Sequence, residues 1–373
     1  MKKNIMIMQV IVFCMLFPRL ESFGGTWQET LQSNFDIVET FDDIADWSGS
    51  TGYHWDSASM PKKYDNRSSI WTYYTADNAA VEPWIKDHGA YKWGSSGKSL
   101  CINYNDYSGG IAGYGPSRLG TYFGDNVTGK SGYKKIYLFM MVKFGPGFFK
   151  QNADKTFVTV GTLKMFDICS GFTAINYWGT PAEHALTNGT PQVNTEYGVD
   201  DTVFNIYGGG LTWANRLFYQ ENAFKANLTV DGWGYTAVPE GSGRPLTDST
   251  KTADITDFYL QDRWFGLEIA SDIGTPNNPD GSIDVWIYND LGNEVGHFIA
   301  TNYNKLVYFD HYYNKVVLGG NRICTGYGAC PAGQDNRWYV DDFIINNSRI
   351  GLKYFSLYFN RNKPMTPDNI FIK

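Results

Sequence analysis

The stretch from Trp264 to Tyr288 constrains the fold of this chain more than any other. It reads W-F-G-L-E-I-A, then S-D-I-G-T-P-N-N-P-D-G-S, then I-D-V-W-I-Y. Phe265, Leu267 and Ile269 alternate with Trp264, Gly266 and Glu268, and Ile283, Val285 and Ile287 alternate with Asp284, Trp286 and Tyr288. Two runs of period two around a turn rich in Pro, Asn, Asp and Gly predict a β-hairpin. The Pro-Asp-Gly sequence pre-sets the turn and supplies a residue tolerant of positive φ. The aliphatic face is predicted to be buried. The opposite face carries Trp264, Trp286, Tyr288, Glu268 and Asp284.

Aromatic rings beside carboxylates suit sugars: a ring stacks on the apolar face of a pyranose, and carboxylates accept hydrogen bonds from hydroxyls. Large aromatics also bury area as plain core. A second protein layer over these tryptophans is therefore the competing reading, and at this level both stand.

Further along, Leu318-Gly319-Gly320 and Trp338-Tyr339-Val340-Asp341-Asp342 follow the W-x-x-L-E, Pro-Asp-Gly and V-W-I elements in order. Earlier, residues 134–149 read K-K-I-Y-L-F-M-M-V-K-F-G-P-G-F-F. Together these segments resemble secreted concanavalin A-like jelly-roll proteins of the polysaccharide lyase type. The resemblance implies a two-sheet sandwich with a concave sheet able to serve as a carbohydrate cleft. It is specific for fold and weak for chemistry.

Composition agrees with an all-β extracellular protein. Charged residues are 18% of the 373, aromatics are 17%, and 40 Gly and 14 Pro supply many turns. The net charge of −7, with no basic run after the first few residues, argues against a nucleic-acid partner. The start, M-K-K-N followed by an apolar run over residues 5–17, reads as a secretory signal too short for a membrane span. We expect a signal peptide over residues 1–22, cleaved between 18 and 26, then one jelly-roll domain over 23–373 with loop insertions. After cleavage we expect no membrane association.

Export to an oxidising compartment suits the cysteines. Cys14 leaves with the signal, and Cys101, Cys169, Cys324 and Cys330 remain. Cys324 and Cys330 flank a short T-G-Y-G-A loop and are expected to pair; whether Cys101 pairs with Cys169 stays open. Sequons begin at Asn66, Asn126, Asn188, Asn227 and Asn346, each expected in or near a surface loop if used.

Along the chain, strands are expected at 99–104, 136–144, 156–168, 203–207, 211–222, 338–345 and 351–360, with others between 297 and 317. Residues 48–97 read as long loops with short strands, and 109–124 as a Gly-rich turn. No helix longer than a turn or two, no repeat and no clear linker is evident. Many strands with long, irregular connections favour a jelly roll over an up-and-down barrel.

For chemistry, the E-x-D-x-x-E strand motif of retaining jelly-roll glucanases is absent, which argues against a hydrolase of that kind. β-Elimination on a uronate needs a group to neutralise the carboxylate, a base for the C5 proton and an acid for the leaving oxygen. The run W-A-N-R-L-F-Y-Q offers Arg216 and Gln220 on one face, for the carboxylate, and Trp213, Asn215 and Tyr219 on the other. Lys164 or Tyr219 would move protons. Arg263, like Lys155, Tyr207 and Tyr259, is a further residue able to converge on the site. The alginate lyase signatures R-x-E-x-R, Q-I-H and Y-x-K-x-G-x-Y-x-Q are absent, so no catalytic residue is carried over from that family.

The five His are scattered without zinc-ligand spacing. Asn278, Asp280, Ser282 and Asp284 alternate oxygen side chains across the hairpin turn and suit Ca²⁺, although turn chemistry explains the same residues. Asp341 and Asp342 are expected to point to opposite faces of their strand. The sequence thus points to an all-β, two-sheet antiparallel jelly roll with long loops, secreted and acting on polysaccharide. The leading function is lyase-like cleavage of an acidic glycan, with Trp264, Trp286, Tyr288, Glu268, Trp213 and Arg263 as substrate contacts. A non-catalytic lectin-like module or an extracellular structural protein is the alternative.

Overall fold

The computed structural model describes residues 26–76, 83–94, 97–103, 117–123, 132–146, 162–169, 199–207, 210–218, 262–272, 275, 282–301, 312–320, 322–323 and 337–361. A short helix α1 (Trp27–Gln32) leads into β1 (Ile37–Glu39), β2 (Trp47–Ser48), β3 (Gly52–His54), β4 (Tyr73–Ala76), β5 (Trp84–Lys86) and β6 (Ser99–Asn103). Next come β7 (Ser117–Tyr122), β8 (Lys135–Phe144), β9 (Thr162–Cys169), β10 (Val199–Tyr207) and β11 (Gly210–Phe218). The hairpin β12 (Phe265–Asp272) and β13 (Ser282–Tyr288) follows, then β14 (Glu294–Thr301), β15 (Lys315–Gly320), β16 (Arg322–Ile323) and β17 (Arg337–Asn346). The helix α2 (Gly351–Asn360) closes the described chain.

Among the described residues the strands form two antiparallel sheets. One has nine strands in the order β14-β13-β12-β8-β17-β6-β5-β2, with β1 also paired to β17. The other has eight, in the order β11-β10-β9-β15-β7-β4-β3, with β16 paired to β9. The fold is the two-sheet sandwich expected from the sequence. The central hairpin is real: Glu268 lies opposite Trp286 and Leu267 opposite Ile287.

Strand β8 shows why the sandwich has more than two layers. Ile136, Leu138, Met140, Val142 and Phe144 fill the core between the sheets. The alternate residues Phe139 and Met141 belong to a second apolar cluster on the outer face of the nine-stranded sheet. A strand buried on both faces reads as a continuous apolar run rather than a clean alternation. The outer cluster is closed by Leu31 of α1 and by Tyr354 and Phe355 of α2.

The helix α2 replaces the last strand expected over 351–360. Gly351, Tyr354 and Phe355 are its buried residues, a spacing of three and four that belongs to a helix face. The helix α1 starts with a capping box: Thr26 Oγ1 accepts from the Glu29 amide, and Glu29 accepts from the Thr26 amide. Residues 117–122, expected to be a turn, form β7 in the middle of the eight-stranded sheet.

Strand β17 is bulged. Its register against β8 shifts between Asp341 and Ile344, and Asp342 has φ 46°. The bulge lies where one neighbour hands over to another: β6 pairs with β17 as far as Val340, and β1 takes over at Phe343. A bulge with one residue in the left-handed region re-aims its side chain. Both Asp341 and Asp342 therefore turn to the outer side of the nine-stranded sheet, Asp342 toward the helices and Asp341 toward Trp93, which corrects the expectation that they point to opposite faces.

Cys101 lies in the outer cluster of the nine-stranded sheet, whereas Cys169 ends β9 of the other sheet. A sheet separates the Cys101 side chain from that strand, so the geometry does not join this pair. Cys324 and Cys330 lie outside the described residues, as do residues 1–25 with the expected signal. No helix among the described residues is long and apolar enough to cross a membrane. Of the sequons, Asn66 is exposed, while Asn346 is buried with its amide donating to Ser348 at 3.0 Å.

Candidate functional site

The hairpin side chains lie on the outer face of the nine-stranded sheet, in the cluster that α1 and α2 close. Glu268 is fully buried, and its carboxylate accepts from four donors. They are the Tyr288 hydroxyl at 2.7 Å, Arg349 Nε at 3.2 Å, and the backbone amides of Ile350 at 2.6 Å and Gly351 at 3.1 Å. The last two amides open α2, so Glu268 ties the start of that helix to the sheet and places negative charge where the helix N-terminus favours it. Arg349 also contacts the Tyr288 hydroxyl and lies 3.8 Å over the Trp286 ring. His297 stacks on the same ring at 5.0 Å. Trp264 packs near Trp93.

Trp264 is 8% exposed and Trp286 6%. Arg349 and His297 lie against the Trp286 ring, and α1 and α2 close the cluster, so these rings pack against protein groups. Trp264, Trp286, Tyr288 and Glu268 are thus an aromatic second core with one buried, satisfied acid, and the described residues leave no groove over them, contrary to the expectation. Arg263 pairs with Asp290 at 3.1 Å beside the same sheet. Asp284 is engaged by His297 Nε2 at 3.1 Å, and Asp280 lies outside the described residues. Among the described residues no group of three or more His, Cys, Asp or Glu suits a metal.

The outer face of the eight-stranded sheet is different in kind. Leu119 of β7, Val316 and Leu318 of β15, and Tyr74 and Ala76 of β4 point into the inter-sheet core. Alternation then places Arg118, Gly120, Lys315, Val317, Tyr73 and Thr75 on the outward side. Register brings them together: Thr75 lies opposite Arg118, Tyr73 opposite Gly120, and Gly120 opposite Val317. A Cβ on Gly120 would come within 2.5 Å of the Tyr73 ring, so the glycine makes room for that tyrosine to lie across the sheet.

Arg118 and Lys315 are each only 4% exposed and Thr75 1%. Among the described residues the Thr75 hydroxyl is buried without a hydrogen-bond partner. The levels of Lys315 and Arg118 differ by four residues along the strands, since Lys315 pairs with Tyr122 and Gly319 with Arg118. That is about 13 Å at the rise of a strand. A face carrying two cations, a tyrosine and a hydroxyl without a partner among the described residues has groups that suit an anionic, hydroxyl-rich ligand.

Arg216, Lys164 and Trp213, singled out in the sequence, belong to this sheet. The row through Tyr122 and Lys315 continues to Cys169, Asp201 and Arg216. Lys164 on β9 pairs with Asn205 on β10, beside the bulge at Phe204 and Asn205. Trp213 pairs with Phe204, and Phe204 with Phe166, a fully buried core ring. Trp213 therefore shares the register row of a core residue, not that of Lys315. Tyr219 and Gln220 lie outside the described residues. Sequence reasoning missed Arg118, Lys315, Tyr73 and Thr75. In S-R-L-G-T-Y only Leu119 is aliphatic and Gly120 interrupts the pattern, so the segment reads as a turn. The available signal was a cation beside a lone alternating aliphatic.

No family model matches the chain, and no curated protein is similar to it. Solved structures with a similar fold exist. The alginate lyase from Aplysia kurodai is 14% identical, with a TM-score of 0.47 over 80% of this chain and 97% of its own. The endo-β-1,4-glucuronan lyase from Trichoderma reesei is 10% identical, with a TM-score of 0.43 over 76% of this chain and 93% of its own. The binding domain of botulinum neurotoxin serotype G is 11% identical, with a TM-score of 0.35 over 85% of this chain and 51% of its own. These likenesses concern the fold alone and span lyases and a toxin domain. The chemistry of this chain is read from its own residues.

Proposed function

We propose that the outward face of the eight-stranded sheet binds an acidic polysaccharide and that the protein cleaves it by β-elimination at a uronate residue, outside the cell. The observation that supports this reading is the pair of buried cations, Arg118 and Lys315, on a sheet face that does not serve the inter-sheet core. In β-elimination a cation neutralises the uronate carboxylate and so acidifies the C5 proton. A base takes that proton, the C4–oxygen bond breaks, and an acid protonates the departing oxygen. Arg118 and Lys315 are the groups we assign to the carboxylates. Tyr73, held across Gly120, offers a hydroxyl for proton transfer. Arg216, on the register row of Lys315, extends the cationic row, with Gln220 as its companion. Lys164 and Tyr219 are further proton-transfer candidates; Tyr219 faces away from Arg216 on an ideal strand, so a bulge is needed for both to serve one groove.

The test is incubation with alginate, glucuronan and pectate, with and without Ca²⁺, over a range of pH. A lyase leaves a 4,5-unsaturated uronate that absorbs in the near ultraviolet; a hydrolase releases reducing ends without it. We expect the absorbance to rise on at least one polymer. Arg118→Ala and Lys315→Ala should each slow the rise about 10- to 100-fold, the worth of a hydrogen bond to a charged group. Retention on a uronate polymer without new absorbance would identify a binding module instead. Neither retention nor product on any of the three would overturn the proposal.

A further inference from the structure

Adjacent residues on a strand normally point to opposite sides of the sheet. The bulge in β17 breaks that rule for Asp341 and Asp342, and each then reaches a different part of the outer layer. Asp342 accepts from Trp27 Nε1 of α1 at 3.1 Å and from the Tyr354 hydroxyl of α2. Asp341 accepts from the Trp93 amide at 2.8 Å and from the Asp342 amide at 2.8 Å. Behind them Asp42 accepts from the Lys98 amide at 2.9 Å. One strained turn of strand thus holds both helices and the 91–98 segment.

The charge balance of this cluster is unusual. From α1 comes only the neutral indole of Trp27. From α2 come Tyr354 and Tyr358, with Arg361 at its C-cap; from the segment after β1 come Asp42 and Asp43, and from the 91–98 segment comes Lys92. Among the described residues no cation forms an ion pair with Asp341 or Asp342. Two neighbouring carboxylates without a paired cation, buried beneath aromatic rings, are costly when both are ionised.

We infer that Asp341 and Asp342 form a protonation-dependent latch that holds α1, α2 and the 91–98 segment on the outer face of the nine-stranded sheet, Asp342 engaging the helices and Asp341 the segment. Loss of the protons leaves negative charge in the aromatic layer, and lifting the helices away hydrates it. The direction of the titration agrees. Burial, then the charge of Asp342, raise the Asp341 carboxyl well above the usual carboxylate range, and burial lifts Asp342 to about 7. Both groups hold protons when docked that they would give up near the ordinary value of 3.8 once hydrated. The docked state is therefore favoured fully below about pH 4, and the preference fades as pH rises through 7. The latch lies on the opposite side of the sandwich from the proposed groove and does not depend on it.

The experiment is amide hydrogen exchange on the full chain between pH 5 and 8, corrected for intrinsic exchange, with α2 compared against the central strand β8. We expect opening of α2 to rise at least tenfold per pH unit between pH 5 and 7, ahead of β8, because each proton released on opening contributes a factor of ten per unit. Asp342→Asn keeps an acceptor for Trp27 and tolerates the positive φ, and it should remove one such factor. Tyr354→Phe keeps the ring and removes the hydroxyl, and it should speed opening of α2 roughly fivefold at pH 5. Equal acceleration of α2 and β8 would overturn the latch, as would an unchanged pH dependence in Asp342→Asn.

Discussion

Glu268 and Asp342 are both buried carboxylates under the same helix, and their surroundings make them opposites. Glu268 has an arginine, a tyrosine and two helix amides around it. Removing it strands those donors. Glu268→Ala should cost about 3–5 kcal/mol, the range for breaking a buried ion pair, read from chemical denaturation. Trp286, covered by Arg349 and stacked on His297, belongs to the same assembly. Trp286→Ala should cost about 3–5 kcal/mol as a buried ring and leave binding of polysaccharide intact where the protein is folded. A variant that kept its stability but lost binding would return the ring to the ligand. The sequence identified these side chains as sharing the face opposite the aliphatic core. It did not show what covers that face, because α1 and α2 come from the two ends of the described chain.

At the level of elements, α2 and β7 are the two departures from the sequence reading, and each has a local cause. Residues 351–360 are rich in Tyr, Phe and Leu, which strands favour. The helix wins because Glu268 receives its first amides and because Tyr354 and Phe355 fall on one face against Phe139. Gly351 closes the joint: a Cβ there would overlap the Tyr288 ring. Gly351→Ala should therefore loosen α2 and cost about 1–3 kcal/mol by overpacking, seen as faster exchange in α2 and a lower melting temperature. In β7 the reverse happened. A glycine needed for the approach of Tyr73 broke an alternation that β4 and β15 complete from either side.

For the whole molecule, the proposed site and the latch lie on different outer faces. Asp342→Asn and Tyr354→Phe should change the exchange of α2 without changing product formation, whereas Arg118→Ala and Lys315→Ala should do the reverse; a crossed result would show that the faces are coupled through the core. Global stability should also depend on pH. Glu39 on β1 is fully buried, and burial lifts its carboxyl to about 7 despite Lys63 at 3.2 Å. A folded value raised above the ordinary 4.5 means stability is complete below that value and declines as pH rises through 7. The denaturation midpoint should be lower at pH 8 than at pH 5, and Glu39→Gln should narrow the gap.

By itself the sequence determined the strand-rich class, the central hairpin and the long apolar run of β8, because period-two patterning over many residues has few other solutions. It also placed Arg216 and Lys164 on strands that prove to share one sheet. Only the tertiary structure decided that α1 and α2 close the outer face of the nine-stranded sheet, that Arg118 and Lys315 share the outward side of the other sheet about 13 Å apart, and that Asp341 and Asp342 turn to the same side. Those outcomes depend on register between strands distant in sequence and on one residue at positive φ. Neither is written in the local order of side chains.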